Sequence, residues 1–419
     1  MAKRALLLGA GFAGLNAAKI LGNTDLEVTV LDRRNYHLFQ PLLYQVAMAG
    51  LSPAEIATPI RSLLSAYRNV RVLLGSASSI DLAAKEVKGD FGTLPYDFLL
   101  VATGAQHSYF GKNQWEEFAP GLKTVEQATE IRRRVLLAFE LAERETDPER
   151  QKALLTFVVI GGGPTGVELA GALGEISRHT LNRDFRSIDP RRTRVILIEA
   201  GKRIMAAFDE ECSARAVADL EKLGVSVWTG TRVSDVNAEG VAMGSEFLKA
   251  ATVIWAAGVQ PSPLNQTLGP PLDKAGRVKV NPDLSLPGHP EVFLAGDQVY
   301  FEQDGKVLPG MAPAAMQQGR HAARNILRLA KGESALPFRY FDKGQMATIG
   351  RSRAVVQLGH RHLFGFVAWL AWLFVHIYYL IGFKNRVFVL FQWVWAYVTY
   401  GRGARLITEK HWRTNENNP

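Results

Sequence analysis

Short apolar runs recur along the chain, and most of them stop at a glycine or an acidic residue. The first, residues 5–8, predicts a buried strand that breaks at Gly9 and gives way to a helical pattern through Leu15, Ala17, Ala18 and Leu21. A second strand over 27–31 ends in Asp32. Short strands follow at 70–74, 86–87 and 93–95, with a helix expected over 53–64 between them and Asp32. Residues 96–101 read as another buried strand, closed by Ala102-Thr103-Gly104. A connector over 106–120 leads to a charged helix at 125–144 and a polar linker beginning at Asp147-Pro148.

The opening pattern then repeats. Residues 154–160 form a buried strand, a glycine turn follows, and residues 194–198 form a partner strand ending in Glu199. A polar, Arg-rich insertion over 179–194 lengthens the interval, and reads as helix extension plus loop. The strand at 251–256 ends in Ala257-Gly258, as the earlier one ends in Ala-Thr-Gly. From 278 the chain is expected to resume the first domain, with an apolar strand ending in Gly296-Asp297 and a helix over 312–329.

Both glycine turns carry chemistry. Gly9, Gly11 and Gly14 hold the G-x-G-x-x-G spacing, as do Gly161, Gly163 and Gly166. The first glycine makes the tight turn, the second admits a pyrophosphate to the backbone, and the third lets helix and sheet approach. The phosphate then sits at a helix N-terminus, where free N–H groups and the dipole favour it. Asp32 and Glu199 stand where a carboxylate is expected to meet a ribose hydroxyl. Pro164 opens the second helix, a position that needs no N–H. Two such units call for two nucleotides.

The last apolar stretches differ in kind. Residues 363–381 contain no Lys, Arg, Asp or Glu; Lys384-Asn385-Arg386 interrupts, and 387–400 follows. Nineteen such residues meet the length of a spanning helix. Yet Trp369, Trp372, Tyr378, Tyr379, Trp393, Trp395, Tyr397 and Tyr400 are spread along both segments rather than gathered at their ends. Helices lying in the membrane interface, flanked by Arg402 and Arg405, fit that spread. Spanning helices and a protein-buried dimer face remain the alternatives.

Composition narrows the picture. With 47% hydrophobic and 21% charged residues, the 419-residue chain is globular and long enough for two or three domains. The formal charge of +9 comes without a nucleic-acid-binding motif, so an anionic lipid surface is the better partner. Cys212 is the single cysteine, which excludes an internal disulfide and a dithiol redox pair. The nucleotide fold begins within a few residues of Met1, so no leader is expected and the cytoplasmic side follows. No metal ligand set is read.

These motifs together resemble the type II NADH dehydrogenases (NADH:quinone oxidoreductases), within the flavoproteins that carry two dinucleotide-binding domains. The resemblance covers essentially the whole chain. It rests on GAGFAG with Asp32, YHLFQPLLYQVA after it, ATG at 102–104, GGGPTGVELAGAL, WAAGV at 255–259, VFLAGD, and A-x-x-Q-x-G at 314–319. Ala312-Pro313 stands where the family often has Ala-Gln.

The resemblance implies an α/β protein with two Rossmann-like domains of the glutathione-reductase-like kind and a C-terminal helical membrane-anchoring region. The FAD-binding domain would comprise 1–115 and 276–340, the inserted NADH-binding domain 116–275, and the anchoring and dimerisation region 341–419. FAD would be held non-covalently by Gly9, Gly11, Phe12, Ala13, Gly14, Asp32, Arg33, Gln40, Thr103, Gly104, Gly296, Asp297 and Ala314. NADH would be held by Gly161, Gly163, Pro164, Thr165, Gly166, Glu199 and Gly258. Glu168 is implied as a proton relay or polar anchor, and Gln317 as the residue at the quinone end of the flavin, with Gln318 facing elsewhere. His37 is expected to be structural rather than a proton donor, and Lys384 to reach toward headgroups or quinone.

The implied reaction is hydride transfer from NADH to FAD and two-electron reduction of a membrane quinone, without proton pumping. It would take place at the cytoplasmic face of the bacterial plasma membrane, in a homodimer. A soluble flavin reductase serving a ferredoxin-like protein, and a non-catalytic nucleotide sensor, are the competing classes.

Overall fold

The computed structural model describes residues 2–182, 184–269, 272–399 and 401–408. The chain divides into two compact units. The first comprises 1–38, 57–106 and 259–343, and the second 39–56, 107–258 and 344–419.

A six-stranded sheet forms the centre of the first unit. Its order is Ser285–Leu286, His289–Leu294, Phe98–Val101, Arg4–Leu8, Glu27–Asp32, Val70–Leu74, parallel throughout except at the Ser285–Leu286 edge. Arg4–Leu8 lies between Glu27–Asp32 and Phe98–Val101, and Leu6, Leu7 and Leu8 are buried, as a strand with neighbours on both sides requires. Helices Phe12–Leu21 and Ala312–Ala330 pack closely against each other. Gly319 makes that approach possible, since a Cβ there would stand 2.2 Å from the Ala13 carbonyl oxygen.

The second unit repeats the theme with four parallel strands, in the order Val225–Trp228, Arg194–Ile198, Thr156–Ile160, Thr252–Trp255. Helix Val125–Arg144 is capped by Thr124, whose hydroxyl accepts from the Gln127 N–H at 3.1 Å. Three antiparallel strands, Gln345–Gly350, Arg353–Leu358 and Arg361–Phe364, precede the C-terminal helices. The first of these packs against helix Pro164–Glu175, where Gly171 leaves room: a Cβ there would lie 1.8 Å from the Ile349 carbonyl oxygen.

Several expectations need correction. The helix expected over 53–64 is broken into Pro53–Ile56 and Ile60–Leu64 by a strand, Ala57–Pro59, which pairs antiparallel with Tyr36–Leu38. Pro59 supplies the reason, because the residue before a proline is pushed out of the helical region. Tyr36–Leu38 is accordingly a strand as well, although no strand is expected between Asp32 and residue 70. The linker after Asp147 is a helix, Pro148–Leu154, with Asp147 accepting from the Glu149 N–H at 3.0 Å.

At the C-terminus, the helices are Gly365–Tyr379 and Phe383–Thr399. Lys384-Asn385-Arg386 therefore lies in the first turn of the last helix, and the break falls at 380–382. Among the described residues no helix is long and apolar enough to cross a membrane. Tyr400 and residues 409–419, expected in the anchoring region, lie outside the described residues.

Candidate functional site

In the first unit, the turn after Arg4–Leu8 starts at Gly9 with φ +96°, a backbone conformation that suits glycine. The Gly9 N–H donates to the Leu31 carbonyl at 2.7 Å. A Cβ on Gly9 would sit 2.5 Å from the Ala102 carbonyl oxygen, and one on Gly14 1.7 Å from that of Gly9. At Gly11 nothing lies within 4 Å of the Cβ position. Helix Phe12–Leu21 begins there with no side-chain cap and no acidic residue in its first turn. An open glycine at an uncapped helix N-terminus fits a pyrophosphate, so the residues present suit a dinucleotide.

Asp32 clasps the turn from its neighbour strand. It accepts from the Ala10 N–H at 2.6 Å and from the Arg34 N–H at 2.8 Å. Burial pushes its carboxyl above the usual range, against those two hydrogen bonds and the nearby arginines.

Around this turn the structure gathers several expected residues. The Cβ position of Gly296, with φ +89°, lies 3.8 Å from the Cβ of Ala315 and 3.9 Å from that of Ala13. Ala314 is buried beside Ala315 in the first turn of Ala312–Ala330. The Gly296 N–H donates to Gln318, which is buried and so fastens the helix to the turn that carries Asp297.

Gly104, at φ +66°, faces open space, and Arg33 is exposed. The Thr103 hydroxyl is committed to Gln298 at 2.5 Å, and Gln298 in turn donates to the Val101 carbonyl. Gln317 is bound at both ends of its amide, donating to the Phe341 carbonyl at 2.9 Å and accepting from the Phe341 N–H at 3.0 Å. Gln40 belongs to the second unit, where its amide donates to the Lys123 carbonyl at 3.3 Å. His37 is buried with Nδ1 on the Ala10 carbonyl, and burial drives its pKa down to about 4, so the ring is neutral.

The second turn reproduces the first. Gly161 has φ +109°, and its N–H donates to the Ile198 carbonyl at 2.8 Å. A Cβ on Gly166 would meet the Gly161 carbonyl oxygen at 1.8 Å, while Gly163 is open. Pro164 and Thr165 are exposed at the head of helix Pro164–Glu175, which has no side-chain cap. Glu199 accepts from the Gly162 N–H and the Gly201 N–H, both at 2.6 Å. Gly258 plays a packing part, since a Cβ there would come within 2.8 Å of the Phe110 ring.

The same helix carries Glu168 into a cavity of about 140 Å³. Its walls include Tyr44, Thr348, Trp372, Trp393 and Tyr397, so they draw on the C-terminal helices as well as on Leu43–Ala47. Part of Glu168 faces this cavity, but protein rings the carboxyl, and desolvation raises its pKa to about 8. One long contact, from the Thr348 N–H at 3.5 Å, opposes that shift only slightly. The acid therefore holds its proton at neutral pH. Beside it, the Tyr44 hydroxyl accepts from the Gln45 amide at 2.9 Å, and Gln45 accepts from Trp393 Nε1 at 2.7 Å.

Glu175, Arg402, Gln45 and the cavity tryptophans were not singled out from sequence as site residues. One signal was present: Glu168 and Glu175 stand seven apart, on one face of a helix. The remaining neighbours come from distant parts of the chain and share no spacing.

Residues 3–319 match the family described as pyridine nucleotide-disulphide oxidoreductase, and 343–402 match the NDH2 C-terminal domain. The Mycobacterium tuberculosis protein named type II NADH:quinone oxidoreductase Ndh is 44% identical, over 97% of this chain and 90% of its own. The Arabidopsis thaliana mitochondrial internal alternative NAD(P)H-ubiquinone oxidoreductase A1 is 31% identical, over 95% and 84%. Among solved structures, NDH2 from Plasmodium falciparum in complex with NADH superposes with a TM-score of 0.87. At 21% identity, covering 96% of this chain and 99% of that one, it is a likeness of fold.

Proposed function

Because this chain belongs to the type II NADH:quinone oxidoreductase family, we propose that it catalyses electron transfer from NADH to a membrane quinone without pumping protons. When bound, FAD would supply the redox chemistry, taking a hydride and giving up two electrons. Gly9, Gly11 and Gly14 hold the FAD pyrophosphate at the head of Phe12–Leu21, and Asp32 takes its ribose. Gly161, Gly163 and Gly166 do the same for NADH, with Glu199 at the ribose and Gly258 and Pro164 shaping the turn. Asp297, Ala314, Thr103 and Gly104 line the flavin side, and Gln317 acts by positioning, because its amide is already bound to Phe341. FAD binding thus falls to 1–115 and 276–340, and NADH binding to 116–275.

Glu168 carries the reading. A carboxylic acid that keeps its proton at neutral pH, in a cavity walled by tryptophan and tyrosine, suits a flat quinone ring that needs protons as it becomes quinol. The aromatic walls stack the ring, and the desolvated site excludes water.

The C-terminal helices attach the enzyme to an anionic lipid surface at the cytoplasmic face of a bacterial plasma membrane. Their support is exposed apolar surface: Phe374 is 73% exposed, Phe383 83% and Phe391 68%. Lys384, in the first turn of the last helix, supplies charge toward headgroups. A homodimer accompanies this assignment, and in detergent should weigh twice the 46.2 kDa of one chain.

The deciding experiment is NADH:quinone activity of purified, FAD-loaded protein with and without liposomes. Reduction of a short-chain quinone analogue, enhanced by liposomes, is expected. NADH oxidation with no quinone reduction would return the choice to a soluble flavin reductase.

A further inference from the structure

Beyond its last helix the chain returns to the cavity through one side chain. Arg402 Nη1 donates to the Met48 carbonyl at 2.7 Å, and Nη2 to Glu175 Oε2 at 3.1 Å. Met48 ends helix Leu43–Ala47, which carries Tyr44 and Gln45. Glu175 ends helix Pro164–Glu175, which carries Glu168 two turns earlier. One guanidinium therefore joins the C-terminal ends of the two helices that present Tyr44 and Glu168 to the cavity. The other Glu175 oxygen accepts the Arg351 N–H, so the carboxylate is held on both sides.

We infer that Arg402 is a positioning residue for quinone reduction, setting the spacing between the Tyr44 and Glu168 walls of the cavity. This rests on the quinone reading of that cavity.

Burial, fork geometry and a second tether support it. The side chains of Arg402 and Glu175 are only 13% and 18% exposed, so the pair is not a solvated surface contact. A planar guanidinium donates along two fixed directions, to a carbonyl on one helix and a carboxylate on the other. An ammonium, as a compact point charge, would not hold both in a fixed geometry. The Trp393 Nε1–Gln45 bond, also from the C-terminal segment, fastens the same short helix at 2.7 Å. The C-terminal segment thus grips Leu43–Ala47 near its middle and at its end. A shift of about 1 Å in a wall that orients a reacting ring is enough to cost activity.

Removing one partner of a buried ion pair leaves an uncompensated charge and endangers the fold. Two full-length, FAD-loaded variants avoid that. Arg402→Lys keeps the charge but loses the fork, and Arg402→Met with Glu175→Gln removes both charges together. In each, the KM for a short-chain quinone analogue should rise by about fivefold or more, as expected for a misplaced wall. Quenching of tryptophan fluorescence by the same analogue should weaken in parallel. FAD content and NADH oxidation by ferricyanide, which needs no quinone, should stay within about twofold of wild type.

Unchanged quinone KM in both variants overturns the inference. So does a parallel fall of quinone and ferricyanide turnover with melting temperature, which marks a purely structural ion pair. A wild-type protein that reduces no quinone removes the functional reading and this inference together; a wild type that does so beside unaltered variants removes the inference alone.

Discussion

Glu168 shows how one side chain acquires a chemical role from its surroundings. Its usual pKa of 4.5 rises to about 8 because the carboxylate form would be stranded among protein atoms. Two consequences follow with definite sign. Quinone turnover should fall as pH rises through about 8, where the proton is lost, and Glu168→Gln should lower turnover about tenfold or more and abolish that limb. A pH–rate profile of both proteins checks this; an unaltered profile in the variant rules out the proton role. The folded chain also holds a proton between about 4.5 and about 8 that the unfolded chain has released. Stability should therefore decline as pH rises across that window, and Glu168→Gln should flatten the decline in thermal melts. At the ribose proposed for Glu199, its carboxylate would repel the 2′-phosphate of NADPH and so favour NADH. Glu199→Ser should narrow the preference for NADH over NADPH by about tenfold, read as the ratio of the two kcat/KM values.

The two glycine turns are strand-turn-helix elements built to one plan. In each, the first N–H is anchored to the acid-bearing neighbour strand, the middle glycine is open, and the third presses on the first. The plan makes them separable by mutation. Gly14→Ala should release FAD, because its Cβ would stand 1.7 Å from a carbonyl oxygen. Gly166→Ala, with a gap of 1.8 Å, should leave flavin absorbance after desalting near wild type while raising the KM for NADH at least about tenfold. Loss of flavin from both variants alike would contradict separate nucleotide assignments. The C-terminal helices follow a different plan. Their inward residues, Ala368, Trp372, His376 and Val389, are buried, and their outward ones are large and exposed. Such helices need a partner surface, because water solvates those faces poorly.

At the scale of the whole molecule, net charge and apolar exposure act together. The formal charge of +9 and the exposed C-terminal aromatics predict binding to vesicles containing anionic lipid, weakened but not abolished by about 0.5 M salt. Cosedimentation with anionic and neutral vesicles tests it. Equal binding to both would leave the apolar faces alone responsible. Truncation before Phe383 should reduce vesicle binding, and it also removes Trp393 and Arg402 from the cavity. Quinone turnover should therefore fall even with a water-soluble analogue, while ferricyanide turnover persists.

Local rules carried the sequence far. Glycine spacing, the apolar runs and the terminal acids of 27–32 and 194–199 depend on backbone sterics within a few residues, so both strand-turn-helix units were legible together with their clasping carboxylates. Where outcomes hinged on partners far along the chain, only the tertiary structure decided. Pro59 breaks the helix locally, but Ala57–Pro59 became a strand only by pairing with Tyr36–Leu38. Gln317, expected at the quinone end of the flavin, has its amide bound to Phe341, and Glu175 acquired a guanidinium from residue 402. The protonation of Glu168 belongs with these: its residue type states that it can titrate, but the energy of its charged form depends on every atom that replaces water around it.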